Sequence, residues 1–244
     1  VREYLAQEQE FARFMATEED VYEVNFYDVR QPLMRIRPER TYLEELDLFD
    51  LKRSLQTVVS LVRFLRAARD EDEGEALDPE TAEASPSETG TTPLYPALTR
   101  MTDGVGCFPQ LIARIDRVLN KYGKIKDTAT PELLNIRHTI EVTSRGISHS
   151  LRSIINQAQA DGYIDRDVSP TLRDGRLVIP VAPALKRKIK GIIHDESATG
   201  KTVFIEPAAV VDANNRIREL KAAERREIIR ILQILSSEIR PHIK

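Results

Sequence analysis

The sequence has little cysteine, histidine or aromatic material. Its 244 residues include one cysteine, four histidines and no tryptophan, and aromatic side chains make up 6%. Because Cys107 is alone, an internal disulfide bond is excluded, as is any zinc or iron–sulfur site built from several cysteines. This fits a reducing cytoplasm. So few histidines and rings also leave little material for a metal enzyme or for a platform that stacks nucleic-acid bases.

Long apolar runs are also missing. No apolar segment approaches the roughly 18 residues that a membrane span needs. The first residues, Val1 to Tyr4, contain neither an initiator methionine nor a signal peptide. We therefore expect a cytoplasmic protein with no membrane partner, and we expect this chain to be a piece of a longer one. Its length of 244 residues suits one large domain or two small ones, and its 41% hydrophobic and 31% charged residues are typical of a globular protein.

Charge is distributed unevenly along the chain. Residues 141–244 contain 18 basic and 13 acidic side chains, whereas residues 1–140 contain 18 basic and 26 acidic ones. This asymmetry favours an anionic partner for the C-terminal part. A solvated helical surface without any partner would give the same counts.

The apolar spacing predicts a mainly α-helical fold. Between Leu43 and Leu65, leucines and valines recur every three to five residues, which places them on one face of a helix. A longer helix is predicted after Thr130, which can cap it, with Pro131 in the first helical position and Gly162 as its end.

Another long helix is expected from Pro207 to Pro241, because its apolar residues also keep to one face. The two long helices should lie antiparallel, with a small β element turning the chain between them. The resulting division is a helical part at 1–69, an acidic disordered insertion at 70–92, a helical part at 93–130, an outgoing helix at 131–162, a β insert at 163–206 and a returning helix at 207–244.

The β insert is predicted from a change of period. A hairpin should form around Asp174-Gly175, a dipeptide that suits a tight turn. Two further strands are expected at 188–194 and 202–206, joined by a turn at 197–200. By contrast, residues 70–90 hold nine acidic side chains and no basic one, so they cannot bury enough apolar surface to offset the entropy of ordering.

One segment of the insert imitates a nucleotide-binding loop. Gly200-Lys201-Thr202 matches the end of a phosphate-binding loop, but the required upstream glycine is Asp195. The residues after Thr202 are also predicted to form a strand, whereas a phosphate-binding loop is followed by a helix. We expect no nucleotide binding here, and we expect Gly200 to supply a positive φ in a polar turn.

His194, Asp195 and Glu206 could in principle form a metal or acid–base site. One histidine among carboxylates is weak evidence, and no second histidine or activated nucleophile accompanies it. We therefore expect no metal site and no catalytic residue. Asp195 and Ser197 are instead expected to close the turn through hydrogen bonds to the backbone.

The insert also concentrates basic side chains. Such a cluster can bind phosphate backbones without reading bases, or it can be a solvated edge that prevents strand–strand aggregation. The candidate nucleic-acid-binding residues are Arg173, Arg176, Lys186, Arg187, Lys188, Lys190 and Lys201.

A longer pattern runs through the insert and into the returning helix. Its residues, all expected to be structural, are Gly175, Pro180, Gly191, His194, Asp195, Ser197, Gly200, Phe204, Glu206, Pro207, Asn214 and Asn215. Their order and spacing resemble the second family of bacterial MutS paralogues, here called MutS-two. The resemblance is strong over 104–240, weaker over 1–70 and absent over 70–92.

This resemblance implies a fold and a role. The fold would be a MutS-type helical core with two antiparallel lever helices, and the β insert would be a reduced clamp. Members of the family are homodimers that close around branched DNA and restrain recombination, and in some bacteria they act on collided ribosomes. Their ABC-type ATPase domain uses ATP and magnesium, and most carry an Smr endonuclease domain. This segment contains neither domain, so it should need no cofactor.

Two other functions remain open at this stage. The long helices could be a purely structural module that joins the ATPase domains of a dimer and touches no nucleic acid. The basic insert could alternatively contact ribosomal RNA, because its charges suit any phosphate backbone.

Overall fold

The structure, a computed structural model, describes residues 2–17, 25–67 and 93–243. The predicted acidic insertion at 70–92 lies outside the described residues. The chain divides into two compact units: the first comprises Val1–Lys124 and Gln233–Lys244, and the second comprises Ile125–Leu232.

The first unit is helical. Aromatic rings form part of its core, where Phe14 meets the edges of Phe64 and Tyr95 at centroid distances of 5.6 and 5.8 Å. The helices that begin in this unit's N-terminal part are α1 (Arg2–Thr17), α2 (Arg30–Arg35), α3 (Glu45–Ala67), α4 (Pro96–Met101) and α5 (Pro109–Val118).

The C-terminal residues complete this unit. The Leu43 amide donates to Ser236 Oγ at 2.9 Å, and both groups are buried. Arg240 Nε donates to the Ile36 carbonyl at 2.7 Å. The first unit is therefore assembled from two stretches of chain that lie far apart in the sequence.

The second unit begins with the predicted long helix, α6 (Pro131–Ala160). Thr130 caps it as expected, because its Oγ1 accepts a hydrogen bond from the Leu133 amide at 3.1 Å. At its other end Gly162 adopts a φ of 75°, and the Tyr163 amide donates to the Ala158 carbonyl.

The second long helix, α7 (Val211–Ile239), begins later than predicted. Pro207 is the last residue of a strand, and a short 3₁₀ turn separates it from the helix. Two contacts fix the course of α7 beside α6: Thr130 Oγ1 donates to Glu227, and Arg137 donates to Glu224, both at 2.7 Å. Thr130 precedes Arg137 in the sequence, whereas its partner Glu227 follows Glu224. The two helices therefore lie antiparallel.

A four-stranded antiparallel sheet lies between the two long helices in sequence. The strands are β1 (Thr171–Arg173), β2 (Arg176–Val181), β3 (Gly191–Glu196) and β4 (Val203–Pro207), in the order β1-β2-β4-β3. Asp174 and Gly175 both have positive φ, 46° and 76°, which confirms the predicted tight hairpin turn. A bulge at His194 shifts the register between β3 and β4.

One apolar core joins the sheet to both long helices. It contains residues from the C-terminal half of α6, from strands β2 and β4, and from the beginning of α7. Its buried members are Ile147, Leu151, Ile155, Ile179, Val181, Ile189, Ile205, Val210 and Ile217. The mainly helical fold with a small antiparallel sheet is as predicted. Within the described ranges, none of the helices has both the length and the apolar character that a membrane crossing requires.

Candidate functional site

The polar motif residues converge on one buried carboxylate. Glu206, on β4, has no exposed surface. The Arg176 guanidinium donates from Nη1 to both of its oxygens, at 2.7 and 3.0 Å. The Arg176 side chain is itself only 12% exposed. Because both charges are removed from water, they depend on each other for compensation.

Two further motif residues complete this network. His194 Nε2 lies 2.5 Å from the second carboxylate oxygen of Glu206. Asn214, on α7, donates from Nδ2 to Glu206 at 2.8 Å and to the Leu177 carbonyl at 3.2 Å. The network therefore ties three strands and the beginning of α7 together around one charge.

The protonation of Glu206 follows from these contacts. Burial alone would raise the pKa of its carboxyl, since it disfavours the charged form. Hydrogen bonds from His194, Asn214 and Arg176, together with the Arg176 charge, outweigh burial and hold the pKa below its ordinary value. Glu206 is therefore an ionised structural anchor, with its oxygens already occupied by donors.

Gly191 is required by the close approach of two strands. It pairs with Pro207 across the sheet. A Cβ atom at this position would lie only 2.1 Å from the Glu206 carbonyl oxygen. Only glycine fits here without movement of the backbone, so this motif position has a steric cause.

The segment that imitates a phosphate-binding loop is a closed turn between β3 and β4. Ser197 Oγ accepts from the Thr202 amide at 3.0 Å, and the Gly200 amide donates to the Ser197 carbonyl at 2.7 Å. Gly200 has a φ of 68°, as expected for a polar turn. Ser197 therefore closes the turn as predicted. Asp195 does not, because among the described residues its side chain accepts only from the adjacent Glu196 amide, within β3.

The structure separates the predicted basic cluster into three groups. Arg176 is engaged with Glu206 and, through Nη2, with Asn215 at 2.8 Å, which does not support a phosphate contact for it. Arg173 and Lys188 are exposed but lie against rings. The Arg173 guanidinium is 4.1 Å from the Phe204 ring centroid, and Lys188 Nζ is 4.9 Å from that of Tyr163.

The remaining four cations face solvent. In the part of the chain that the structure describes, none of them forms an ion pair or a side-chain hydrogen bond. They are Lys186, Arg187, Lys190 and Lys201. A cavity of about 520 Å³ lies beside two of the lysines, Lys188 and Lys190, with Tyr163, Gln157 and Asp161 also in its wall.

Two rings near the cations were missed by the sequence reasoning. Phe204 was assigned only to the motif, and Tyr163 was not assigned at all. The strand register could not have indicated Phe204 as a partner of Arg173, because Arg173 pairs with Arg176 of β2 whereas Phe204 pairs with Pro180. Nothing in the sequence near Tyr163 indicates Lys188, which lies 25 positions later.

The histidine at the centre of the motif has no metal-binding environment. Its Nε2 is held by Glu206. Across residues 2–17, 25–67 and 93–243, no group of three or more His, Cys, Asp or Glu side chains is placed to hold a metal ion.

Comparisons with known proteins give a consistent result. No family model matches the chain. It is 33% identical over 224 residues to "Endonuclease MutS2" of Halothermothrix orenii, which covers 88% of this chain and 26% of that protein. A protein of the same name from Streptococcus thermophilus is 33% identical over 215 residues, covering 88% of this chain and 24% of that protein. The one from Thermomicrobium roseum is 40% identical over 148 residues, 59% of this chain and 18% of that protein. The chain thus spans about a quarter or less of the length of these relatives.

Proposed function

Because the chain belongs to the MutS-two family, whose curated members are named MutS2, we propose that its β insert binds the phosphate backbone of structured DNA. The contact residues are the exposed cations of the insert, here called the insert surface: Arg173, Lys186, Arg187, Lys188, Lys190 and Lys201. Binding is independent of base sequence, because lysine and arginine recognise phosphate charge.

The observation that supports this proposal is the concentration of unpaired charge. From Gly175 to His194 the chain has five basic side chains and no acidic one. Within this stretch, all of which the structure describes, only Arg176 is neutralised by an internal acidic partner. Surface cations that lack an acidic partner keep their charge available for an external anion.

The Glu206 network contributes to binding indirectly. It fixes β2, β3 and β4 relative to one another, and the insert surface, apart from Arg173 on β1, lies in the connections between these strands. Contacts on a rigid sheet lose less entropy on binding than contacts on a loose segment. The motif residues therefore position the contact surface without touching the ligand.

The role proposed for the whole protein is the one that the family resemblance implies. We propose that the parent protein is a homodimer that uses ATP and magnesium, closes around branched or mismatched DNA and suppresses recombination. The two antiparallel helices would be levers and the insert a reduced clamp. The relatives are named endonucleases, and we propose that any cleavage belongs to residues outside this chain.

The proposal is tested by neutralising three cations of the insert surface. A Lys186→Gln/Arg187→Gln/Lys190→Gln variant is titrated with a branched DNA and a linear duplex at several salt concentrations. Each lost phosphate contact should reduce the slope of log K against log salt by about 0.9, so the slope should fall by about 2 to 3.

The matched control removes three exposed cations from the first unit, in an Arg63→Gln/Arg117→Gln/Lys121→Gln variant. It has the same change of net charge and should keep the original slope. If both variants bind branched DNA with the slope of the unmodified chain, the insert surface is not the contact.

A second function is favoured by one observation. Arg176 bonds to both Glu206 and Asn215, and Asn214 bonds to Glu206. These polar groups therefore pair within the chain, as expected in a purely structural module between ATPase domains. That function predicts no DNA binding by the chain at any salt concentration. Ribosomal RNA offers the same phosphates as DNA. Co-sedimentation with ribosomes that is lost in the insert variant, without measurable affinity for branched DNA, would assign the surface to RNA.

A further inference from the structure

Helix α7 carries three exposed cations in the turns that follow its motif residues Asn214 and Asn215. We propose that Arg218, Lys221 and Arg225, here called the α7 stripe, form a second contact surface for the phosphate backbone of a nucleic-acid duplex. This surface is distinct from the β insert, and its assignment does not depend on the insert surface being correct.

Helix geometry places the three side chains together. Their spacings of three and four residues keep them within an arc of about 60° on the helix. From Arg218 to Arg225 the helix rises about 10.5 Å, close to three base-pair steps of about 3.4 Å each. A row of this length can follow the phosphates of one strand over three to four nucleotides.

Internal pairing distinguishes these cations from two arginines on the opposite side of the same helix. Arg216 pairs with Glu219 at 3.2 Å, and Arg230 pairs with Glu227 at 2.7 Å. In the described ranges, none of the three stripe residues makes an ion pair or a side-chain hydrogen bond, and all three are exposed.

The acidic residues of α7 leave the stripe unopposed. Glu224 is bound by Arg137 of α6, and Glu219 and Glu227 are held by arginines of their own helix. Helical spacing puts no acidic residue on the arc of the stripe between Val211 and Leu232. The stripe is therefore a continuous band of uncompensated positive charge.

The chemistry of the band favours a nucleic acid over other partners. An apolar partner would have to remove three charges from water without compensating them. Phosphates compensate charge while staying hydrated, and long lysine and arginine stems accommodate differences in phosphate position. An acidic protein segment would also supply charge, but it has no regular spacing to match the row.

The test compares two pairs of arginines on one helix. An Arg218→Gln/Arg225→Gln variant removes two residues of the stripe. An Arg216→Gln/Arg230→Gln variant removes two arginines of the opposite face that are already paired. Both variants are made in the full chain and have the same change of net charge, and glutamine is nearly as good a helix former as arginine.

Affinity for a linear 20-base-pair duplex is then measured against salt concentration. The stripe variant should bind about tenfold more weakly, or worse, at ~0.1 M salt, with a slope reduced by about two. The control should keep its slope, and thermal melting checks that both are folded. An unchanged slope in the stripe variant would overturn the proposal. Stripe-dependent binding of polyglutamate but not of the duplex would also overturn it and would indicate an acidic protein partner.

Combining the stripe and insert variants separates this inference from the proposed function. If only the stripe variant loses affinity, the stripe is the contact and the insert surface is wrong. If only the insert variant does, the stripe is wrong.

Discussion

Gly191 shows how one atom can decide whether a motif residue is replaceable. Alanine at this position would place a Cβ 2.1 Å from the Glu206 carbonyl oxygen, so β3 and β4 would have to separate. We expect Gly191→Ala to lower the free energy of unfolding by about 2 to 3 kcal/mol, the range of overpacking strain. Urea denaturation measures this.

A second glycine provides the control for that substitution. Gly146 lies inside α6, and a Cβ added there would meet no atom within 4 Å. Gly146→Ala should therefore stabilise the chain by about 0.5 to 1 kcal/mol, because alanine favours the helix and restricts the unfolded chain. Equal effects of the two substitutions would contradict the steric explanation.

Glu206 and Arg176 form a largely buried ion pair in the second unit, so the loss of either charge should be destabilising. Glu206→Gln preserves the size of the side chain but leaves the Arg176 guanidinium, 12% exposed, without its countercharge. Removing one partner of a buried pair costs about 3 to 5 kcal/mol, and we expect a loss near the lower limit because Arg176 keeps Asn215 as an acceptor. Chemical denaturation checks it, with Glu219→Gln, at an exposed pair, as the control. A loss below about 1 kcal/mol would contradict the anchoring role.

This network could not be predicted from the sequence. Glu206 bonds to partners 30, 12 and 8 positions away, and these separations have no helical or strand period. The residues meet only because β4 lies between β2 and β3 in the sheet. The family resemblance indicated a structural role for Glu206, His194 and Asn214, but Arg176 was predicted to bind phosphate, and nothing in the sequence indicated that the four residues share one charge.

At the scale of elements, local chemistry made some boundaries predictable. The Asp174-Gly175 turn and the Thr130 cap depend on neighbouring residues only, and both form as expected. Pro207 was misassigned because a proline suits both the first position of a helix and the end of a strand. In the structure Pro207 pairs with Gly191, 16 positions earlier, and is therefore the last residue of β4.

The cap of α6 also joins two helices. Thr130 Oγ1 accepts from the Leu133 amide and donates to Glu227 on α7. Thr130→Ala removes both bonds, so we expect a loss of about 1 to 2 kcal/mol. Thr130→Ser keeps both groups and should recover most of that loss in thermal or urea unfolding. Thr139→Ala, which removes only a bond to the preceding helical turn, serves as the control and should be nearly neutral.

At the scale of the whole molecule, paired carboxylates determine the response to acid. Burial would raise the pKa of Glu206, but its hydrogen bonds lower the pKa overall. A hydrogen bond from Arg230 lowers the pKa of Glu227, and one from Arg114 lowers that of Glu238. A pKa that is lower in the folded chain than in the unfolded chain means that the folded chain binds fewer protons.

Stability should therefore be constant above the ordinary carboxyl pKa of 4.5. It should fall as the pH drops from there through the lower values of the folded state. Denaturation series between pH 7 and pH 3 measure this. Glu206→Gln should show a shallower fall, because it removes one of the shifted groups, and a series with no fall below pH 4.5 would contradict these pairings.

The division of the chain also fixes an order of events during synthesis. The second unit is one uninterrupted stretch, Ile125–Leu232, whereas the first needs residues from both sides of it. Ser236 Oγ accepts a hydrogen bond from the Leu43 amide, but Ser236 is synthesised 193 residues after Leu43. The inserted unit can therefore mature on the nascent polypeptide while the host unit, begun earlier, still lacks its closing segment.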